Sequence, residues 1–280
     1  MRDKNESKEF FDASITLLTE ACKQFNPHKS YEAACLREQH GVQKISPLTN
    51  FLIELPQTLI PKRYSRGDNL MAIQQELVLP LLDDYIFYVQ EMKKHNLEEM
   101  YLLTDQTPRT SGLRGDGPEC RYHSVYTWLC WFICFGGETQ KIAKVAPFLG
   151  RAGKDRLIDT IIKHYQPNRI VAKTCMNPET FGLLDQVIDA DTNERPALVK
   201  KYLDEWPRLI GHLRGLHSIG VFAGIRVKDR KTLIDSIDSH YQGFWAWEAA
   251  LVVKFFNIDD SSFKDHEFYP YDLVHFLDNH

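Results

Sequence analysis

Two short runs limit what this chain can fold into more than anything else in it. Residues 125–135, VYTWLCWFICF, and residues 244–256, FWAWEAALVVKFF, show no continuous polar face at helical spacing. A helix that is apolar all round must be covered all round, so each run belongs at the centre of a helical bundle. A buried strand is the competing reading, but the length of both runs favours helix. Neither reaches the roughly 20 residues that a helix crossing a bilayer needs. With 280 residues, 43% of them hydrophobic, the chain can bury a sizeable core around these two.

The covering helices show as amphipathic stripes. Phe11, Ile15, Leu18, Cys22 and Phe25 repeat at four-three-four-three spacing, and Leu82, Tyr85, Ile86 and Val89 follow a bend or helix start at Pro80. Leu157, Ile158, Ile161 and Ile162 form a third stripe, with Asp159 and Lys163 placed as an i,i+4 pair. Val199, Tyr202, Leu203 and Trp206 form a fourth, for which Pro196 suits the first turn. Strand alternation is all but absent, and the fold reads as all-α: a helical bundle or an array of short helical pairs. The segment 104–119, TDQTPRTSGLRGDGPE, is the main break. It separates an amino-terminal helical part, 1–115, from a carboxy-terminal helical domain, 116–280. Smaller breaks fall at 150–153, 167–168 and 220–224. The opening MRDKNESKEFF has no apolar core of a secretory signal, and six cysteines in so long a chain are not a disulfide framework. Both point to a reduced, cytoplasmic protein.

Candidate chemistry is thin. Cys120, His123, Cys130 and Cys134 contain ligand spacings, but Trp128, Trp131 and Phe132 surround the cysteines, and small buried packing residues are the simpler account. All-α metal phosphohydrolases use His-Asp pairs; here the order is Asp265-His266, and no His-Asp dipeptide occurs. The chain also lacks His-Glu-x-x-His, a P-loop and Gly-x-Ser-x-Gly. The glycines of FLGRAGKD read as a turn before a solvated helix start. Glu248, set among Trp245, Trp247, Ala249, Ala250 and Leu251, must be paired or protonated. A structural pair with an arginine such as Arg214 is the better reading than catalysis. No metal, cofactor or catalytic residue is assigned.

Charge is segregated along the chain, whose net charge is −4. Residues 140–175 carry eight lysines and arginines against two acids, and residues 257–280 carry six acids against one lysine. A second acidic stretch, LLDQVIDADTNE, holds Asp185, Asp189, Asp191 and Glu194. Taken alone these are solvated loops and helix starts; a docking surface for a basic partner is the functional alternative.

The carboxy-terminal half carries a resemblance. RYHSVYTWLCWFICFGG, LVKKYLDEW and GFWAWEAALVVKFFNIDDSSFKDHEFYPYDLV follow one another in the order seen in the PoNi immunity proteins, which neutralise the polymorphic nuclease effectors (PoNe) of type VI secretion. The most specific positions run from Gly243 to Glu248, from Asp259 to His266, and from Tyr269 to Leu273. The resemblance extends from about Arg121 to the end and thins towards the amino terminus. It implies an all-helical protein without catalysis of its own that binds a cognate DNase toxin and blocks its DNA-binding or active site. It also implies structural roles for Trp245, Glu248, Asp259, Asp260, Ser261, Asp265, His266, Tyr269, Pro270 and Asp272. Residues that choose a toxin lie outside a motif shared by relatives. The partner-binding expectation therefore falls on Asp185, Asp189, Asp191 and Glu194, with Asp204 and Glu205 as neighbours. The other readings are a helical adaptor for a basic partner and an all-α metal phosphohydrolase.

Overall fold

The computed structural model describes residues 1–4, 6–23, 26–37, 44, 48, 52–53, 55–97, 118–210 and 242–279, with side chains beyond description at 21–23, 118–122 and 279. Most of the 104–119 break, the glycines at 220–224, Arg214, and the side chains of Cys22, Phe25 and Cys120 lie outside the described residues. Regular structure within them is helical, without an extended strand. Packing sorts the chain into two compact units: Met1–Tyr101 with Ile237–Gly243, and Leu102–Ser236 with Phe244–His280.

In the first unit α1 (Lys8–Lys23) packs its Phe11 and Ile15 against α3 (Leu55–Arg66), and α2 (Pro27–Leu36) starts on an Asn26 cap. Lys62 of α3 is buried, donates to Ser14 Oγ at 2.7 Å and lies 5.4 Å from the Phe10 ring centre. Burial pushes its ammonium down to about 8. The irregularity expected at Pro80 is a π turn, Gln74–Val78, between α4 (Leu70–Ile73) and α5 (Leu79–Lys94). Proline has no N–H to give to the carbonyl four residues back, and the widened turn before it absorbs that loss.

The second unit is built on the two apolar runs. α6 (Pro118–Cys134) packs along α11 (Trp247–Phe256), with Trp131 edge-on to Trp247 at 5.9 Å between ring centres. The second run is helical only from Trp247. Ala246 has non-helical dihedrals and donates its N–H to Phe268 O at 2.8 Å, so residues 244–246 enter as a non-helical lead that ties the carboxy-terminal segment down. The helix ends at Asn257, whose φ of 49° turns Ile258 N back onto Val253 O at 3.1 Å, a Schellman closure. Around the pair lie α7 (Thr139–Val145), α8 (Arg156–Lys163), α9 (Pro178–Gln186), α10 (Arg195–Ile210) and the single-turn α12 (Tyr271–Val274). The stripes of α8 and α10 face inward as read, with Leu157, Ile161, Ile162, Val199, Tyr202, Leu203 and Trp206 fully buried.

One expectation about α8 fails. Asp159 does not pair with Lys163; it is buried and holds Arg169 at 2.8 Å. The i,i+4 rule applies to exposed helix faces, whereas Asp159 sits on the face that α8 buries beneath the following loop.

Candidate partner interface

α8 begins where Asp155 turns inward. Its carboxylate caps the helix by accepting from Ile158 N at 2.9 Å, and it also accepts from Met176 N at 2.8 Å. The next residue, Arg156, spans to the end of α9: Nε and Nη2 bind both oxygens of Asp185 at 3.0 and 2.8 Å, and Nη1 binds Asp189 at 2.7 Å. Asp185 therefore does not belong to an exposed acidic connection. It lies inside α9, buried, as the bidentate partner of Arg156. An acid in the last turn of one helix, facing an arginine at the start of the helix before it, is closed into a pair, which a one-dimensional acid count does not reveal.

What stays on the surface is shorter. Asp189 keeps its side chain 69% exposed despite Arg156. Asp191 and Glu194 are exposed, and no described residue makes an ion pair with either. The connection is nevertheless ordered: Glu194 N donates to Asp191 O at 2.8 Å, Arg195 Nε to Ala190 O at 3.2 Å, and the Arg195 guanidinium lies over the Phe256 ring. These acids gather at the amino-terminal end of α10, where the helix dipole favours negative charge.

Along α10, Asp204 is exposed and binds Lys200 at 2.7 Å; that lysine holds its carboxyl below the usual range. Glu205 pairs with Arg208. His266 lies 3.5 Å from Asp204, so the carboxy-terminal segment runs beside α10 and places Asp265 and Glu267 near the same face. Within that segment, Asp259 accepts from Ser261 N at 3.0 Å. Buried Asp260 accepts from Tyr269 Oη at 2.7 Å and meets His275 Nε2 at 2.8 Å. Pro270 O accepts from Leu273 N at 3.1 Å, starting the turn of α12 that contains Asp272. Trp245 is buried, 6.4 Å from Trp247 between ring centres.

Glu248 is fully buried at the start of α11, and its described partners are not arginines. Oε1 accepts from Tyr202 Oη at 2.8 Å and from Trp206 Nε1, and Oε2 lies 3.3 Å from His123 Nε2. Burial alone would raise this carboxyl, but the bond and charge of His123, with Tyr202, hold it below its ordinary value. The knot joins α6, α10 and α11, and both Glu248 and His123 are buried in it. With His123 engaged there, Cys130 and Cys134 are left as a buried pair with sulfurs 3.8 Å apart. Among the described residues no three His, Cys, Asp or Glu side chains gather as a metal site. The glycines of FLGRAGKD make a surface turn as read: Gly150 and Gly153 have φ of +69° and +78°, and Gly153 N donates to Asp159 at 2.9 Å.

Residues 153–273 match the family model described as PoNe immunity proteins (PoNi), C-terminal. No curated protein matches the chain significantly. Among solved structures, the crystal structure of protein PA2201 from Pseudomonas aeruginosa is similar with a TM-score of 0.66 at 16% identity, over 95% of this chain and 87% of that one. At that identity the likeness concerns the fold.

Proposed function

We propose, from the match of residues 153–273 to the PoNe immunity proteins, that this chain is an immunity protein that binds a cognate DNase effector of type VI secretion and blocks it stoichiometrically in the cytoplasm, without catalysis of its own. The observation that carries the reading to particular residues is the ordered acidic end of α10. Asp191 and Glu194 present negative charge that pairs with no described cation, and beside them Asp189 stays 69% exposed although it shares Arg156 with Asp185. A DNase must carry positive charge where it meets phosphates, so these acids attract and orient it, and the bound protein excludes DNA. Asp204 and Glu205, each paired with a basic neighbour, act as a weaker rim. Among the described residues no helix is long and apolar enough to cross a membrane.

Coexpression rescues bacteria from the cognate DNase effector, and the two proteins elute as one complex. Absence of a complex together with turnover of a phosphoester substrate by the purified chain overturns the reading.

A second measurement locates the contact. Asp189→Lys, Asp191→Lys and Glu194→Lys together slow association about tenfold at low salt and flatten its salt dependence, because steering by net charge is screened by ions. Helical circular dichroism stays unchanged and the melting temperature falls only slightly, since these side chains are exposed and what they give up is one exposed pair with Arg156 and a favourable place at a helix start. Asp185→Lys behaves oppositely: it sets a lysine against Arg156 in a buried site and destabilises the fold. Unchanged association in the triple variant moves the site to the carboxy-terminal acids Asp265, Glu267 and Asp278.

A further inference from the structure

The basic stretch that charge counting picked out, residues 140–175, forms a rigid surface around one exposed apolar side chain. Ile170 is 71% exposed. Its carbonyl accepts from Gly153 N at 3.0 Å, so the loops 150–154 and 169–174 run side by side. The buried Asp159–Arg169 pair holds both from beneath. Asp159 accepts from Gly153 N at 2.9 Å on one loop and from Ala172 N at 3.0 Å on the other, while Arg169 donates to Gly150 O at 3.1 Å and Ala146 O at 3.2 Å. A buried ion pair contributes little net stability compared with apolar packing; what it does here is hold two loops in one geometry. Lys154 and Lys173 flank Ile170, exposed and without an ion pair to any described residue.

This surface adjoins the acidic one. Arg156 N donates to Thr174 O at 3.1 Å while its guanidinium reaches Asp189, so lysines and isoleucine lie to one side of Arg156 and the free acids to the other. That bipolar pattern complements a metal-dependent nuclease, which needs positive charge for the phosphate backbone and carboxylates for its metal.

We propose that Ile170 is the apolar anchor of the complex, seating in a recess of the nuclease rimmed by its metal-binding carboxylates, with Lys154 and Lys173 pairing to that rim. The assignment rests on the immunity reading above and adds the contact that sets residence time, whereas the α10 acids set capture rate. Rigid placement suits an anchor, because little side-chain or loop entropy is left to lose on binding.

The test measures binding kinetics of the full chain on its immobilised cognate DNase effector, kept metal-free with EDTA. Ile170→Asp dissociates about 30-fold faster, as loss of a central hot spot does, with association within twofold of wild type. Ile170→Ala, harmless to an exposed loop, accelerates dissociation less but in the same direction. Lys154→Glu with Lys173→Glu weakens binding, and the loss shrinks as salt rises. If the wild-type chain binds and Ile170→Asp leaves at the wild-type rate, the anchor is wrong while the immunity reading stands. If the wild-type chain does not bind the toxin, both fall. Retention of the wild-type chain on phosphatidylglycerol vesicles, lost in Ile170→Asp while toxin kinetics stay unchanged, overturns the anchor in favour of a membrane contact.

Discussion

Glu248→Ala is expected to lower the melting temperature by roughly 10 °C. The side chain is fully buried and satisfies Tyr202 Oη, Trp206 Nε1 and His123 Nε2 together. Deleting it strands those groups in a dry site, and breaking a buried pair of this kind costs about 3–5 kcal/mol. In a protein of this size each kcal/mol moves the midpoint by about 2–4 °C. Glu248→Gln costs less, because its carbonyl still accepts from Tyr202 and Trp206. The pH dependence has a definite sign. Glu248 is held below its ordinary pKa in the folded state, so its contribution is fully present above the unfolded value, about 4.3, and is lost as pH falls through the folded value. Melting curves from pH 7 down to pH 3 therefore fall more steeply for the wild type than for Glu248→Gln. Loss of toxin binding by Glu248→Ala at an unchanged melting temperature would instead put the residue in the interface.

Arg169→Ala is expected to cost a similar ~3–5 kcal/mol, read by chemical denaturation. It leaves the Asp159 carboxylate buried with backbone donors only and frees the carbonyls of Ala146 and Gly150. Asp159→Asn with Arg169→Met removes both charges, keeps an acceptor for Gly153 N and Ala172 N, and recovers much of that loss. The loop amides tell order apart from stability: hydrogen exchange at Gly153 and Ala172 accelerates in Arg169→Ala more than exchange in the α6–α11 core. Equal acceleration everywhere would mean that the pair serves global stability alone.

The candidate site was less legible than the fold, and particular residues show why. The acid at 185 and the acid at 191 look alike in the sequence, yet one faces Arg156 across an inter-helix contact and the other faces water. Asp155 was readable in principle, as an Asp directly before an apolar-periodic run. Asp159–Arg169 was not, because ten residues and a loop separate partners whose only link is burial. Ile170 gives no signal in the sequence, because a lone isoleucine in a basic loop carries no periodicity.

By itself the sequence determined the helical class, the two central helices and the inward faces of α8 and α10, because all three follow from apolar spacing along one chain, which local geometry converts directly into faces. Its motif order also carried the resemblance of the carboxy-terminal half to the PoNe immunity proteins, whose family model matches residues 153–273. Only tertiary structure decided which charges are free and which are spent on one another, that Glu248 is held by His123, Tyr202 and Trp206, and that a buried ion pair presents Ile170 to solvent. Those outcomes depend on distances between residues far apart in the chain, and electrostatic pairing and burial act through space rather than along it.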